Sequence, residues 1–373
     1  MIRVLVDGHI YGMQSHGGVG RFFTETLNRL GRQVDDVEVI VHLPSNPKGT
    51  PPRGPGIQHI ENWSLRPGRL FAPFCARVNM ARIRALRPQI FHSTYYTLPY
   101  WPELKTVVSV HDFIDENSFQ TMSGNYAGFV AHKRKVIEQA DAVIAVSRAT
   151  KQEILKYTQT EADSISVIYH GINEDLAAIS STEEEINHFL TENRIREPYW
   201  LFVGRRLRYK NFGVLLRAWE RVTHSYGIDT YLVAIGPHDG LESWQIDFLI
   251  KNHLEQRLVL LSRVDDRTLS VAYHGAAAFI FPSLFEGFGI PLLEAMACNT
   301  PIIASDIRVF HEVASDAALY FDPHDDEALA EAMVQILDDH LRQDLVGKGL
   351  KRLSHFSWDK SSRQIAELYR GLE

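Results

Sequence analysis

The sequence predicts an α/β protein built from two doubly wound domains, each a parallel sheet with helices on both faces. Three observations carry this. The chain has 373 residues, enough for two cores of ordinary domain size. Short apolar segments alternate with helical patterns through the first half, and the alternation restarts at Tyr199. Finally, the run Ala276–Phe281 ends at Pro282, a loop with two glycines follows, and Pro291 opens a helix-forming stretch to Ala297, which reads as strand, loop and helix start.

Taken in order, Ile2–Val6 is the opening strand, ending at Asp7, and a helical pattern runs from Phe22 to Leu30. Between them lies His16-Gly17-Gly18-Val19-Gly20-Arg21. A dinucleotide fingerprint needs its glycines in a tight turn directly after the strand, but ten residues, 7–16, intervene here and Phe23 replaces the third glycine. NAD binding is therefore the weaker reading, although glycines at a helix start still offer backbone donors to a diphosphate or an acceptor. Val37–Leu43 is a second strand and 44–56 a Pro/Gly-rich loop.

From Asn62 to Pro102 there is no acidic residue, while Arg66, Arg69, Arg77, Arg82, Arg84 and Arg87 are interleaved with Leu70, Phe71, Phe74, Val78 and Ile83. Such a stretch suits an anionic membrane surface or a lipid-linked acceptor, or else is a solvated helix whose apolar side packs inward. Gln89–Phe91 and Thr106–Val110 are short strands, and the second ends in His111-Asp112. A histidine at the carboxyl end of a parallel strand faces the ligand crevice; His16, His92 and His170 are read as structural. Ala140–Val146 is a buried strand, Ser147 caps the helix that follows, and Ile165–Ile168 closes the first half.

In the second half, strand Tyr199–Val203 leads into Gly204-Arg205-Arg206-Leu207-Arg208-Tyr209-Lys210-Asn211, a loop with four cations, of which Arg206 and Arg208 read as solvated, and a helix from Phe212. Strands Thr230–Ile235 and Leu258–Leu261 follow, the latter before Ser262-Arg263-Val264-Asp265. After the central stretch come strands Pro301–Ala304 and Leu319–Phe321, helices from Glu327 to Arg352, and a final amphipathic helix to Leu372.

The central stretch, Phe281 to Glu294, shows what the strand ends are for. Gly287 and Gly289 let backbone N–H groups approach a ligand, and the helix start adds unpaired donors and partial positive charge, which suits a phosphate. Glu286 and Glu294 flank this anion site and would repel a phosphate unless each accepts hydrogen bonds from hydroxyls of the same ligand. A sugar nucleotide has phosphates between two sets of hydroxyls. An ordinary strand-loop-helix unit with one solvated glutamate and a second, Glu294, in a helical first turn is the alternative.

Glu-x7-Glu in this setting, followed by Ala295-Met296-Ala297-Cys298-Asn299-Thr300-Pro301, resembles the signature of the retaining glycosyltransferases of family 4, which have the GT-B fold. The resemblance covers nearly the whole chain. It implies two Rossmann-like domains facing each other across a cleft: 1–175 on the acceptor side, a connection at 176–197, a nucleotide-sugar domain at 198–356, and helix 357–373 packing back on the first domain. By resemblance Glu286 holds hydroxyls of the donor sugar and Glu294 those of the ribose. Arg205 and Lys210 match the basic pair that stabilises the departing diphosphate, and His111 matches a histidine that touches the transferred sugar. Gly204, Val264, Gly287, Phe288, Gly289 and Ile290 line the donor site, and Gly17, Gly18 and Gly20 form the acceptor or diphosphate loop. His170 departs from the usual Asn and Asn299 from the usual Gly, though Asn also tolerates a left-handed helix end.

Tyr209-Lys210-Asn211 with Gly-Gly-Val-Gly-Arg resembles bacterial polysaccharide mannosyltransferases, which implies GDP-mannose ahead of a UDP-hexose, a saccharide or lipid-linked acceptor, and a role in lipopolysaccharide, capsule or exopolysaccharide assembly. No Asp-x-Asp pair occurs, so the cations take the diphosphate charge and no metal or cofactor is expected. The other classes kept open are a phosphorylase-like enzyme and a non-catalytic nucleotide-sugar-binding protein. The net charge of −7 argues against generic nucleic-acid binding. Cys75 and Cys298 lack metal-ligand spacing and read as buried thiols of a reducing compartment. With no signal-like segment and no apolar run of about 20 residues, the expected location is cytoplasmic, with peripheral contact on the inner face of the membrane through Arg66–Arg87 as an option.

Overall fold

A computed structural model describes residues 1–15, 17–62, 68–117, 126–237 and 240–373, so His16 and Arg66 lie outside the described residues. The chain divides into two compact units, Met1–Gly171 with Ser357–Glu373, and Ile172–Phe356. Each is a Rossmann-like domain on a parallel sheet.

The first unit contains β1 (Ile2–Val6), β2 (Val37–Leu43), β3 (Ile57–Glu61), β4 (Ile90–Ser93), β5 (Lys105–Val110), β6 (Ala142–Ala145) and β7 (Ile165–Val167), in the order β3-β2-β1-β4-β5-β6-β7. Every pairing is parallel. β1, β2, β4, β5 and β6 are buried along nearly their whole length, on both faces, because a parallel sheet is covered on both sides. The edge strand β3 is absent from the sequence reading: Ile-Gln-His-Ile-Glu is half exposed and carries only two apolar residues.

The first long helix spans Gly18–Gln33, four residues earlier than the apolar pattern implies. Its stripe of Phe22, Phe23, Thr26, Leu27 and Leu30 is buried, and that packing extends the helix back through Gly18 and Gly20 despite glycine's poor propensity. The closing helix Trp358–Arg370 packs on it with Trp358, Ile365, Ala366 and Tyr369 inward. Ser362 Oγ donates to the Thr26 carbonyl at 2.9 Å, and a Cβ on Gly171 would lie 2.3 Å from the Trp358 nitrogen. Ser147 caps the helix Arg148–Tyr157 by accepting from the Thr150 N–H.

The second unit holds β8 (Tyr199–Val203), β9 (Tyr231–Ile235), β10 (Leu258–Leu261), β11 (Ala278–Phe281), β12 (Ile302–Ser305) and β13 (Leu319–Phe321), all parallel, in the order β10-β9-β8-β11-β12-β13. Its core holds two fully buried tryptophans, Trp200 and Trp219, whose indole N–H groups both donate to Thr230 Oγ1, at 3.1 and 3.0 Å. Where the sequence suggests a connection, 176–197, the helix Glu183–Glu192 is closed by a Thr182/Glu185 capping box. It packs on the helix Asp266–His274, with Phe189 and Leu190 buried. Both cysteines are buried free thiols, and among the described residues no helix is long and apolar enough to cross a membrane.

Among the described residues the first unit buries two histidines, His92 and His170. His92 lies between the Tyr369 hydroxyl on Nδ1 (2.6 Å) and Ser109 Oγ on Nε2 (2.9 Å), and burial, then the neighbouring His111, pushes its pKa down to about 3. His170 is shifted well below the usual value by burial, His111 and Arg21. Groups held neutral in this way take up protons on unfolding, so their stabilisation is complete above an unfolded pKa of about 6.5 and is lost as pH falls below it. Each such histidine should cost about 1.4 kcal/mol per pH unit on that limb. Urea midpoints should therefore drop between pH 7 and pH 5, and His92→Gln should make the dependence shallower.

Candidate functional site

In the second unit the strand order reverses between β8 and β11, the point at which the loops after neighbouring strands diverge to opposite faces and leave a crevice. The β8 loop runs through Gly204 and Arg205 into a 3₁₀ turn, Arg208–Lys210, closed by Asn211 in the left-handed conformation. The β11 loop runs from Pro282 to Gly289, and the Leu284 N–H donates to the Tyr209 carbonyl at 2.7 Å, tying the two loops together. Lys210 Nζ thereby comes to 2.5 Å from Glu286 Oε1, with the two side chains only 13% and 10% exposed. Ser283 Oγ donates to the same carboxylate oxygen at 2.8 Å, and the ammonium lies 5.0 Å from the centroid of the Phe281 ring.

Gly289 caps the helix Ile290–Ala297 at φ +101°, and a Cβ there would press on Leu292 and Phe310 at 3.2 Å. Both the conformation and the space require glycine. Pro291 stands in the first turn. Gly287 is buried, and Phe288 packs edge-on against Phe356 with centroids 5.7 Å apart, so the Phe288 side chain is taken up by the core. Glu294 belongs to the second helical turn rather than the first. It is 9% exposed, and the Tyr273 hydroxyl donates to its Oε2 at 3.2 Å. Burial, then the Glu294 charge, holds that hydroxyl protonated, and burial pushes the neighbouring Cys298 thiol up to about 12.

Gly204, at φ +141°, is pressed from the next strand by Gly236, where a Cβ would lie 2.1 Å from the Gly204 oxygen. Arg205 is exposed. Arg206, read from sequence as solvated, is buried and donates to the carbonyls of Pro237 (3.2 Å) and Gly240 (3.3 Å). Val264 follows β10, the far edge strand, two strands away from β8. Asn299 takes the left-handed conformation, φ +56°, just past the end of the helix.

In the first unit the order reverses between β1 and β4. Asp7, at the end of β1, accepts from the backbone N–H groups of Thr94 (3.0 Å) and His9 (3.1 Å) and from the hydroxyls of Thr94 and Thr97. Gly17 caps the helix Gly18–Gln33, with Gly18 and Gly20 in its first turn, where backbone N–H groups have no intrahelical acceptor. His111 follows β5, with the Phe22 ring edge-on at 5.3 Å and His170 at 5.8 Å. Its Nε2 is buried with no hydrogen-bond partner among the described residues. Burial lowers its pKa to about 4, opposed by Asp112 and aided by Lys133, so the imidazole is neutral at pH 7. Among the described residues no group of three or more His, Cys, Asp or Glu could hold a metal.

Two family models match. One, described as Glycosyl transferases group 1, covers residues 183–352, and the other, Glycosyltransferase Family 4, covers 16–176. The chain belongs to glycosyltransferase family 4. It is similar to the O-antigen chain mannosyltransferase RfbU of Salmonella typhimurium, 30% identical over 65% of this chain and 64% of that one, just under two thirds of RfbU's length. It is also similar to the O-antigen chain mannosyltransferase B of Escherichia coli, 27% identical over 77% and 76% of the two chains. The sucrose-phosphate synthase structure from Thermosynechococcus elongatus superposes with a TM-score of 0.76 over 99% and 98% of the chains; at 21% identity this bears on the fold alone.

Lys210 and Glu286, 76 positions apart, carry no sequence sign of pairing, and Tyr273 none of its bond to Glu294. Ser283 had one sign, a hydroxyl three residues before a glutamate in a loop. Because the Lys210–Glu286 pair is largely buried, removing one partner strands the other charge. Lys210→Met should lower the unfolding free energy by about 3 kcal/mol in urea titrations, and Lys210→Met with Glu286→Gln should recover most of it.

Proposed function

We propose that this chain transfers a hexose, with retention, from a nucleoside diphosphate sugar to a hydroxyl of a saccharide or lipid-linked acceptor in cell-surface polysaccharide synthesis, and that the donor is GDP-mannose. The observation that carries the reading is the buried Lys210–Glu286 pair beside the N-terminus of the helix Ile290–Ala297. A ligand entering there must offer both an anion for the ammonium and hydroxyls for the carboxylate, and a sugar diphosphate offers both. The mannose assignment is supported by the relatives named O-antigen mannosyltransferases.

In this reading Lys210 and Arg205 stabilise the negative charge that builds on the diphosphate as the bond to the sugar breaks, fixed cations in place of a metal. Phosphate leaves without a protonated acid. The backbone of Gly204 and of Gly287, Phe288, Gly289 and Ile290 meets the diphosphate, Glu294 holds the ribose hydroxyls with Tyr273 orienting it, and Val264 meets the base through its backbone. Glu286 binds sugar hydroxyls, held in place by Ser283, and neutral His111 orients the transferred sugar as a hydrogen-bonding partner. Gly17, Gly18 and Gly20 present backbone donors to the acceptor or the diphosphate.

Calorimetric titration without added metal against GDP, UDP, GDP-mannose and UDP-glucose tests this. GDP and GDP-mannose should bind, Glu294→Ala should weaken both about tenfold or more, and GDP should be released slowly from GDP-mannose with water as acceptor. Preference for UDP would move the donor to a UDP-hexose, binding without any release would favour a non-catalytic sensor, and no binding at all would overturn the reading.

We also propose that the helix Gly68–Ala85 touches an anionic membrane. Among its described side chains Phe74, Arg77, Arg82 and Arg84 are exposed, as is Arg87 beyond its end, while Cys75 and Ile83 are buried. The protein should sediment with phosphatidylglycerol vesicles at low salt but not with phosphatidylcholine vesicles, and Arg77→Glu with Arg82→Glu and Arg84→Glu should abolish this.

A further inference from the structure

Lys133, on the helix Tyr126–Glu138, is fully buried, its side chain 0% exposed. Its ammonium donates to the Asp112 carbonyl at 2.8 Å and to Glu116 Oε2 at 2.9 Å, and lies 4.2 Å from the centroid of Phe113 and 5.3 Å from that of Tyr96. The Glu116 side chain is equally buried. Taking both charges out of water costs several kcal/mol, and an apolar pair of the same volume would fill the space at no such cost. Packing alone therefore does not account for a lysine here.

What the ammonium holds does account for it. The Asp112 carbonyl belongs to the residue after His111, and on the other side the Tyr96 hydroxyl lies against the His111 backbone N–H. Tyr96 is itself fixed in the left-handed conformation, φ +53°, with its carbonyl bonded to His132 Nε2 at 2.9 Å. The peptide group before His111 and the one after Asp112 are thus gripped from the core, so the two residues of the turn are held at both ends. Beside them lies a cavity of about 30 Å³ bordered by Tyr96, Ser109, His111, Asp112, Asp115 and Lys133. A turn at the end of a strand, whose histidine must point one way, is clamped by a buried cation rather than left to loop stiffness.

We propose that Lys133 is a positioning residue for the transfer step: its ammonium, neutralised by Glu116, holds the Asp112 carbonyl and so fixes the orientation of His111. The inference rests on the reading that His111 orients the transferred sugar. Nucleotide affinity, which that reading assigns to the second unit, is independent of Lys133.

The test is Lys133→Met combined with Glu116→Gln, which removes both charges and strands neither, with release of GDP from GDP-mannose, water as acceptor, as the rate. The expected result is a GDP-mannose KM within about threefold of the parent and a kcat lower by about tenfold or more, as a small displacement of an orienting group produces. The His111 pKa, followed by NMR, should rise with the nearby cation gone. Lys133→Arg, which keeps the cation and its donors and strands no charge should the double variant fail to fold, should retain kcat within about threefold. A double variant, or Lys133→Arg, that behaves oppositely overturns the proposal. Where His111→Ala has lost kcat in parallel, the failure is that of Lys133 alone; where His111→Ala also keeps full kcat, the sugar-orienting reading fails with it.

Discussion

A sheet whose strands all run parallel must be covered on both faces, because each strand returns through a helix, and every strand then ends on the same edge. Both units obey this constraint, and the position of their functional loops follows from it. In the second unit β8 and β11 are neighbours although 74 residues separate the end of one from the start of the other, 204 to 277. That adjacency brings the Gly204–Lys210 loop against the Pro282–Gly289 loop, and in the first unit the same reversal brings Asp7 to Thr94.

The carboxyl ends of the strands are also where each unit buries a lysine against a glutamate: Lys210 with Glu286, and Lys133 with Glu116. The two pairs differ in what surrounds them. Lys210 and Glu286 keep about a tenth of their side-chain surface open and rest on loop residues. Lys133 and Glu116 are sealed, and the ammonium is spent on a backbone carbonyl and two aromatic faces. The first arrangement suits charges that exchange partners with a ligand, and the second suits charges that hold a turn still.

Much of the fold was legible before any coordinates. β1, β2, β8, β10 and β13 coincide with the apolar runs seen in the sequence, because buried parallel strands announce themselves as such runs. Pro291 in the first helical turn and Asn299 in the left-handed conformation were legible as helix punctuation. Less legible were β3, whose edge position relaxes the apolar requirement, and the early start of the helix Gly18–Gln33, where tertiary burial overrides propensity. Arg206 looked like a solvated cation of the four-cation loop, yet carbonyls of a neighbouring loop draw it inward.

By itself the sequence determined the class of the two domains, the strand-loop-helix unit around Glu286 and Glu294, and family membership, since these depend on residue type at short spacing. Only the tertiary structure decided who touches whom: Lys210 with Glu286, Tyr273 with Glu294, Lys133 with the turn that carries His111. The reason is physical. Periodicity, caps and glycine turns are local in the chain, whereas a buried charge or hydroxyl is satisfied by whatever partner the sheet order brings within 3 Å, and sheet order is not written at any single position.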